Sequence, residues 1–411
     1  MKKFLPLLFL SFISLFSNAQ WIATNMPSGV LAFSLAIKND VLIMGTLSSG
    51  VFISTDKGAT WVEKNNGIVN KQIWSLAVID SYIFAGTAGG GVYRSADEGN
   101  TWVPANGNIP STTIIRSFAK FDGKIFAAST NKGVYVSTDD GLSWSQHNSG
   151  ITGLVALPLL VTDTDLFTGV LQGVYKYNKS TSDWTKVSTG VPNLTIAAFT
   201  WFSDGQGNKK IFAGLSGSTN MVVRTTNNAV SWELAENGLA KVPVATLASK
   251  GTVIFAGNDY GVYYSTNAGD TWTDVSTGFP LASYASFLTS GSDYLYVVHT
   301  GKVWKRKFSD FGIATTAIEN TQFASAELKQ NYPNPLNEHT TIEYLLKNTA
   351  QVSLKIFDLT GREVSEVISE TQPAGVYRHQ IEAKKSGLKP GTYVYQLQTG
   401  SEKHSGKMIV E

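Results

Sequence analysis

Three observations in the sequence predict an all-β protein: a seven-bladed β-propeller closed by its N-terminal strand, followed by a C-terminal immunoglobulin-like β-sandwich. Trp21, Trp61, Trp102, Trp144, Trp184, Trp232 and Trp272 recur at intervals of 40, 41, 42, 40, 48 and 40 residues. Each interval holds four short apolar runs separated by Gly, Asn and Asp, and a four-stranded unit at that period is the mark of a propeller blade. After Phe308 the rhythm gives way to two-residue alternation in Val352-Ser353-Leu354-Lys355-Ile356-Phe357 and Thr392-Tyr393-Val394-Tyr395-Gln396-Leu397. Such alternation reads as half-buried strands of a separate sandwich.

Taken in order, residues 1–19 read as a cleavable secretory signal. Lys2 and Lys3 precede an apolar run from Phe4 to Phe16, and Ser17-Asn18-Ala19 places small residues before Gln20. The run is short for a membrane span, and no later stretch is long and apolar enough. Export is therefore expected, with no integral membrane segment left after cleavage. The rest divides into a propeller at 20–308, a polar linker at 309–326 and the sandwich at 327–411. The chain has no cysteine, which excludes disulfides, Cys-ligated zinc and thiol catalysis. Lys and Arg total 33 against 31 Asp and Glu, a near balance that argues against nucleic acid or an anionic membrane as the main partner.

Within a propeller unit the inner strand reads Trp74-Ser75-Leu76-Ala77-Val78, the second Ile83-Phe84-Ala85-Gly86, and the third opens with Gly91-Val92-Tyr93. The tryptophan begins the fourth. The last unit, at about 284–308, has no tryptophan phrase after Trp304, while Trp21-Ile22-Ala23 is a fourth strand with no first three. Residues 20–24 are thus expected to complete the last blade and remove the open edge at the seam.

Between third and fourth strands stands a recurring phrase: STDKGATW at 54–61, SADEGNTW at 95–102, STDDGLSW at 137–144 and STNAGDTW at 265–272. Asp56, Asp97, Asp139 and Asn267 can accept main-chain hydrogen bonds in an Asx-type turn. Gly58, Gly99, Gly141 and Gly269 can take a positive φ, and Trp61, Trp102, Trp144 and Trp272 can pack between blades. In YNKSTSDW (177–184) and TTNNAVSW (225–232) the turn chemistry reads as eroded while the tryptophan persists, so the acid is read as structural. The phrase resembles the Asp-box, or bacterial-neuraminidase repeat, of sialidases, sortilin-type receptors, xyloglucan-cleaving hydrolases and photosystem II assembly factors. The resemblance covers roughly 21–308. It implies propeller architecture and no particular activity, because enzymes and non-enzymes share it.

No catalytic, cofactor or metal set emerges. Arg94 and Arg224 occupy equivalent places in their units, which reads as blade register rather than the arginine triad of a sialidase. The histidines lack metal-ligand spacing. Asp163-Thr164-Asp165 has the alternate acids of a calcium loop without its glycine or terminal Glu. A binding face is easier to place. The Asp-box turns mark one face of the disc. Loops at 65–72, 105–113, 188–193 and 276–283, rich in Asn, Ser, Thr and Gly, mark the other and suit a protein or glycan ligand. The fifth unit adds longer loops at 203–208 and 216–220. Near the start of the innermost strands, 12–14 residues after each repeat tryptophan, stand Phe33, Trp74, Arg116, Leu157, Ala197, Ala245 and Ala285. Phe33, Trp74 and Arg116 are the candidate binding residues, since aromatic and guanidinium planes can stack on a sugar or clamp a peptide.

In the tail, Tyr332-Pro333-Asn334-Pro335, then Asp358-x-x-Gly361-Arg362, then Gly391-x-Tyr393, then Lys407-Met408 follow in order. They resemble the type A C-terminal sorting domain of the Bacteroidetes type IX secretion system over about 328–411. That resemblance implies a transport address read by the type IX machinery, acting after Sec export. The combined expectation is a secreted or cell-surface binding protein without enzymatic activity or cofactor. An Asp-box glycoside hydrolase and an assembly factor or scaffold are the alternatives.

Overall fold

In six of the seven propeller repeats, short runs of β-branched and aromatic residues are bent back on themselves by a two-residue turn. Asn39 and Asp40, with φ of +48° and +63°, join Ala32–Lys38 to Val41–Thr46. This is a turn whose twist matches a hairpin. Asp122-Gly123 does the same between Ile115–Phe121 and Lys124–Ser129. The computed structural model describes residues 20–204, 208–217, 222–280, 284–313, 326–346, 350–358, 361–373, 375–399 and 402–411. The expected signal at 1–19, most of the fifth unit's two long loops and most of the expected linker lie outside these residues. Among the described residues no helix is long and apolar enough to cross a membrane.

Up to Phe311 the described chain forms seven four-stranded antiparallel sheets. Six are consecutive meanders. In the seventh, Ala285–Ser290, Tyr294–His299 and Lys302–Lys307 are joined by Ile22–Ala23 from the other end of the chain. Ile22 pairs with Lys305 and Ala23 with Trp304. The innermost strands touch in chain order, and Ala32–Lys38 also touches Ala285–Ser290.

Each sheet has two apolar faces and buries them against its neighbours. Seven clusters of buried side chains result, each shared by two adjacent sheets and each holding one repeat tryptophan. The indole N–H sets the register. Trp102 donates to the Lys64 carbonyl at 2.9 Å, Trp144 to Ala105 at 2.9 Å, Trp184 to His147 at 2.9 Å, Trp232 to Val187 at 2.8 Å, Trp272 to Ala235 at 2.8 Å and Trp21 to Val275 at 2.7 Å. Every acceptor lies three residues beyond the preceding repeat tryptophan. Trp61, which faces the seventh sheet, is the exception: its buried indole nitrogen has no partner among the described residues. Close approach also demands glycine. A Cβ on Gly150, at φ +86°, would lie 2.0 Å from the Trp184 carbonyl oxygen.

The expected linker at 309–326 starts later than the sequence predicts. Phe308–Phe311 is a 3₁₀ turn, and its two phenylalanines, three residues apart, fall on one side of it. Both are buried, with ring centroids 6.1 Å and 5.0 Å from Phe255. Aromatic burial holds this stretch to the last sheets, where composition alone suggested a spacer.

The second unit has a three-stranded sheet (Ala326–Leu328, His339–Leu346, Gly375–Glu382) and a four-stranded one, ordered Glu363–Gln372, Ala350–Asp358, Gly391–Thr399, Glu402–Val410. Ile342 and Tyr344 from the first and Val352, Leu354, Tyr395 and Met408 from the second share one buried core.

Two outcomes follow, both readable by tryptophan fluorescence because all ten tryptophans lie before the second unit. Trp144→Phe removes bonds to the Ala105 and Gly141 carbonyls and should lower stability by about 1–2 kcal/mol more than Trp61→Phe does; equal losses in urea denaturation would contradict this. His299 is 1% exposed and stacks on Phe279 with centroids 3.9 Å apart. Burial pulls its pKa from the ordinary 6.5 down to about 4. The unfolded chain therefore takes up a proton that the folded chain resists, so stability is full above about pH 6.5 and falls as the pH drops toward 4. The loss should be on the order of 3 kcal/mol, and His299→Leu should flatten that part of the stability-against-pH curve.

Candidate binding site

The site begins with an irregularity repeated in every innermost strand. Pairing to the second strand skips one residue: Phe33 between Ala32 and Ser34, Trp74 between Ile73 and Ser75, Arg116 between Ile115 and Ser117. The same skip falls at Leu157 with Pro158, at Ala197 and at Ala245. A β-bulge of this kind leaves the extra residue unpaired and re-aims its side chain. The next residue ties the strand to its neighbour. Ser75 Oγ donates to the Ile115 carbonyl at 2.8 Å, Ser117 Oγ accepts from the Leu159 N–H at 3.2 Å, and Thr246 Oγ1 accepts from the Leu288 N–H at 2.8 Å.

The bulged side chains line one cavity of about 440 Å³, which brings together Phe33, Trp74, Arg116, Leu157, Ala197 and Ala245. The seventh expected position is corrected. In the last inner strand the skipped residue is Ser286, between Ala285 and Phe287; Ser286 lines the cavity while Ala285 is fully buried. Counting from the tryptophan missed this because the bulge there sits one residue further on.

The Phe33 and Trp74 rings lie 5.0 Å apart at 44°. The Arg116 guanidinium carbon sits 4.8 Å from the Trp74 centroid and 5.6 Å from that of Phe33. Burial pulls the Arg116 pKa below the ordinary arginine range, yet an arginine so shifted stays charged at neutral pH. Among the described residues the guanidinium has no salt bridge or hydrogen bond. Tyr284, at the cavity's edge, has its pKa raised, first by burial and then by nearby Asp259. Asp259 is the one carboxylate among the described lining residues. In a second hollow of about 450 Å³, lined also by Glu236 and Lys241, Arg224 is paired with both Glu233 and Asp270.

The Asp-box residues lie at the opposite ends of the strands. In 137–144, Asp139 Oδ1 accepts from Ser137 Oγ at 2.8 Å and from the Ser143 N–H at 2.9 Å, while Ser137 Oγ accepts from the Gly141 N–H at 2.8 Å. Ser143 Oγ donates to Asp139 Oδ2 at 2.6 Å. Asp56–Gly58 and Asp97–Gly99 repeat the pattern, and so does Asn267 with Gly269. The side-chain hydroxyl of Ser143, then its N–H, draws the Asp139 pKa down to about 2; Thr60 does the same for Asp56. TTNNAVSW is less eroded than its letters suggest. Asn227 accepts from Thr225 Oγ1 and the Ser231 N–H, and Ala229 adopts the glycine's left-handed φ at +66°. An amide substitutes for the acid because its Nδ2 donates where the carboxylate accepted.

Arg94 and Arg224 each reach a carbonyl in the next sheet's Asp-box, at Asp140 and Ala268, and neither lines the cavity with Arg116. In the calcium-like stretch, Lys209 lies 2.7 Å from Asp163 and Lys176 lies 2.8 Å from Asp165, so two ammonium groups neutralise these acids.

In the second unit the sorting motif ties down the final strand. Asn334 Nδ2 donates to the Lys407 carbonyl at 2.9 Å, and its Oδ1 accepts from the Ile409 N–H at 2.8 Å. Pro333 accepts from Thr340 Oγ1, and Leu336, just past Pro335, is fully buried. Tyr332 exchanges main-chain bonds with Thr341 while its ring is exposed. Gly361 and Arg362 close a turn on Asp358. Tyr393, two residues after Gly391, bonds Lys389.

Residues 68–214 match the family described as the DUF6242 beta propeller domain, and residues 330–411 match the secretion system C-terminal sorting domain. No curated protein matches. Among similar solved structures, YCF48 from Cyanidioschyzon merolae is 13% identical with a TM-score of 0.55, over 71% of this chain and 100% of that one. YCF48 bound to D1 peptide is 12% identical with a TM-score of 0.54, over 70% and 96%. An ancestral GH74 enzyme is 15% identical with a TM-score of 0.58, over 94% of this chain; the match spans only 63% of the enzyme's length. Identities this low carry the fold and not the activity. The chain thus joins a β-propeller, matched over part of its length by the DUF6242 family, to a C-terminal sorting domain that marks proteins exported by the type IX system to the cell surface or beyond.

Proposed function

We propose that the protein is a surface or secreted binding module: a seven-bladed propeller closed by its N-terminal strand, exported by an immunoglobulin-like sorting sandwich. It holds a protein or glycan ligand in the central cavity and does no chemistry on it. The observation that carries this reading is the convergence of Phe33, Trp74 and Arg116 on one cavity, with a charged plane laid against two aromatic rings. The pairing of Ile22–Ala23 with Trp304 and Lys305 supports closure. The two sheets around one core support the sandwich.

Binding is favoured over glycoside hydrolysis by the count of acids. A hydrolase of the usual kind needs two carboxylates about 5–9.5 Å apart, and the described lining residues include Asp259 alone. A peptide-bound neighbour, YCF48 with D1 peptide, is in keeping with a binding role.

Glycan-array and pull-down measurements on the full mature chain test the reading. Trp74→Ala and Arg116→Ala should each weaken capture about tenfold or more; unaltered capture by folded variants would retire the cavity as the site. Asp139→Asn separates a structural acid from a catalytic one. Since Asn227 and Asn267 already serve in that place, stability should fall by less than about 0.5 kcal/mol and ligand capture should not change. A large loss of either would speak for a role beyond the turn.

A further inference from the structure

Resting on the reading of the cavity as a ligand site, we propose that it takes the free C-terminal carboxylate of a peptide. Arg116 is the anchor, and the Phe33 and Trp74 rings receive the terminal apolar side chain.

Three independent features point this way. The first is the unspent charge. Arg116 is half-buried on a bulge, and among the described residues no carboxylate or carbonyl pairs with it. A desolvated cation without a partner is costly to keep. The aromatic contacts at 4.8 and 5.6 Å restrain its plane, which leaves the N–H edge to grip a carboxylate by two parallel hydrogen bonds.

The second is what the cavity withholds. Ser117 and Thr246 hydroxyls accept from the Leu159 and Leu288 N–H groups, and Ser286 Oγ donates to the Val298 carbonyl at 3.3 Å. Each of these three lining hydroxyls thus spends part of its hydrogen-bonding capacity on the main chain. Most of the other lining residues are apolar, so one carboxylate on an apolar body suits this wall better than a neutral sugar, which needs polar partners all round.

The third is the surrounding face. In an antiparallel meander, the loops joining strands two to three and four to one share the end where the inner strands begin. Leu31, Val69, Leu154, Leu171, Tyr260 and Tyr284 all belong to that end, and all are exposed. Exposed apolar groups around a pocket favour a polypeptide over a glycan. A chain end can enter a pocket ringed by inner strands without having to return, so a terminus fits better than an internal acid.

The test uses the full mature chain, immobilised. Hexapeptide libraries with free C-termini, their C-terminally amidated twins, and uronate- and sialate-bearing oligosaccharides are passed over it, and retained molecules are read by mass spectrometry. Free-acid peptides ending in aromatic or aliphatic residues should be retained about tenfold or more over the amides, and Arg116→Gln should abolish that preference. If Arg116→Gln does not fold, the acid-to-amide ratio on the unaltered chain decides. Equal retention of acid and amide would overturn the anchor while leaving the cavity as a ligand site. Retention of amidated peptides only when they carry Asp or Glu would overturn the terminus. Retention of acidic oligosaccharides alone would overturn the peptide. Retention of nothing would overturn this inference, whereas the reading beneath it falls only if glycan-array and pull-down capture fail as well.

Discussion

The hydrogen bond that six of the seven repeat indoles make to the main chain of the preceding sheet is the contact on which the propeller depends. A four-stranded sheet of this size cannot bury both faces by itself, so its stability comes from its neighbours. The indole supplies a large apolar surface to the shared cluster and one donor that must be satisfied once buried. Only one placement does both, with the ring wedged between sheets and the N–H three residues past the neighbour's own tryptophan. That pairing sets spacing and rotation together. The bond that Trp61 lacks among the described residues falls where the first and seventh sheets meet. There the two sheets are tied instead by the Ala32 N–H to the Gly301 carbonyl, by Lys305 Nζ to the Lys57 carbonyl, by Ser292 to Asp40 and by packing.

Inner strands packed side by side are what make a weakly charged cavity usable. The bulges recur because every inner strand meets the same demand, packing outward against its own sheet and sideways against two others. The hydroxyls of Ser75, Ser117 and Thr246 secure that sideways contact. The unpaired residue ahead of each is thereby freed from structural duty. Small side chains at Ala197 and Ala245 and large ones at Phe33, Trp74 and Arg116 make the cavity lopsided, with its one cation set against the Phe33 and Trp74 rings. The Asp-box acids, by contrast, are consumed by their own turns, and their depressed pKa values record hydrogen bonds rather than reactivity.

Much of this was legible in the residues. Tryptophan spacing carries the repeat because an indole between blades has no equal substitute. Asp56, Asp97 and Asp139 carry the turn because their hydrogen bonds are local, made within five residues. The reading of TTNNAVSW as worn failed for a related reason: Asn and Thr preserve the same bonds with different atoms, and Ala229 bears the backbone strain that glycine would avoid. Ser286 was missed because a bulge shifts the count by one, and Phe308 and Phe311 because their burial depends on rings brought from Phe255 and Trp21.

By itself, then, the sequence determined the elements whose partners lie close along the chain or recur at a constant interval: the strands, the Asp-box turns, the tryptophan wedge and the order of the sorting motif. Tertiary structure alone decided which side chains share a cavity and which charges go unpaired. Arg94, Arg116, Arg224 and Arg306 look alike as letters in a row. Three of them are engaged by carbonyls and carboxylates, and among the described residues Arg116 meets only aromatic faces, because electrostatic pairing depends on distance through space rather than along the chain.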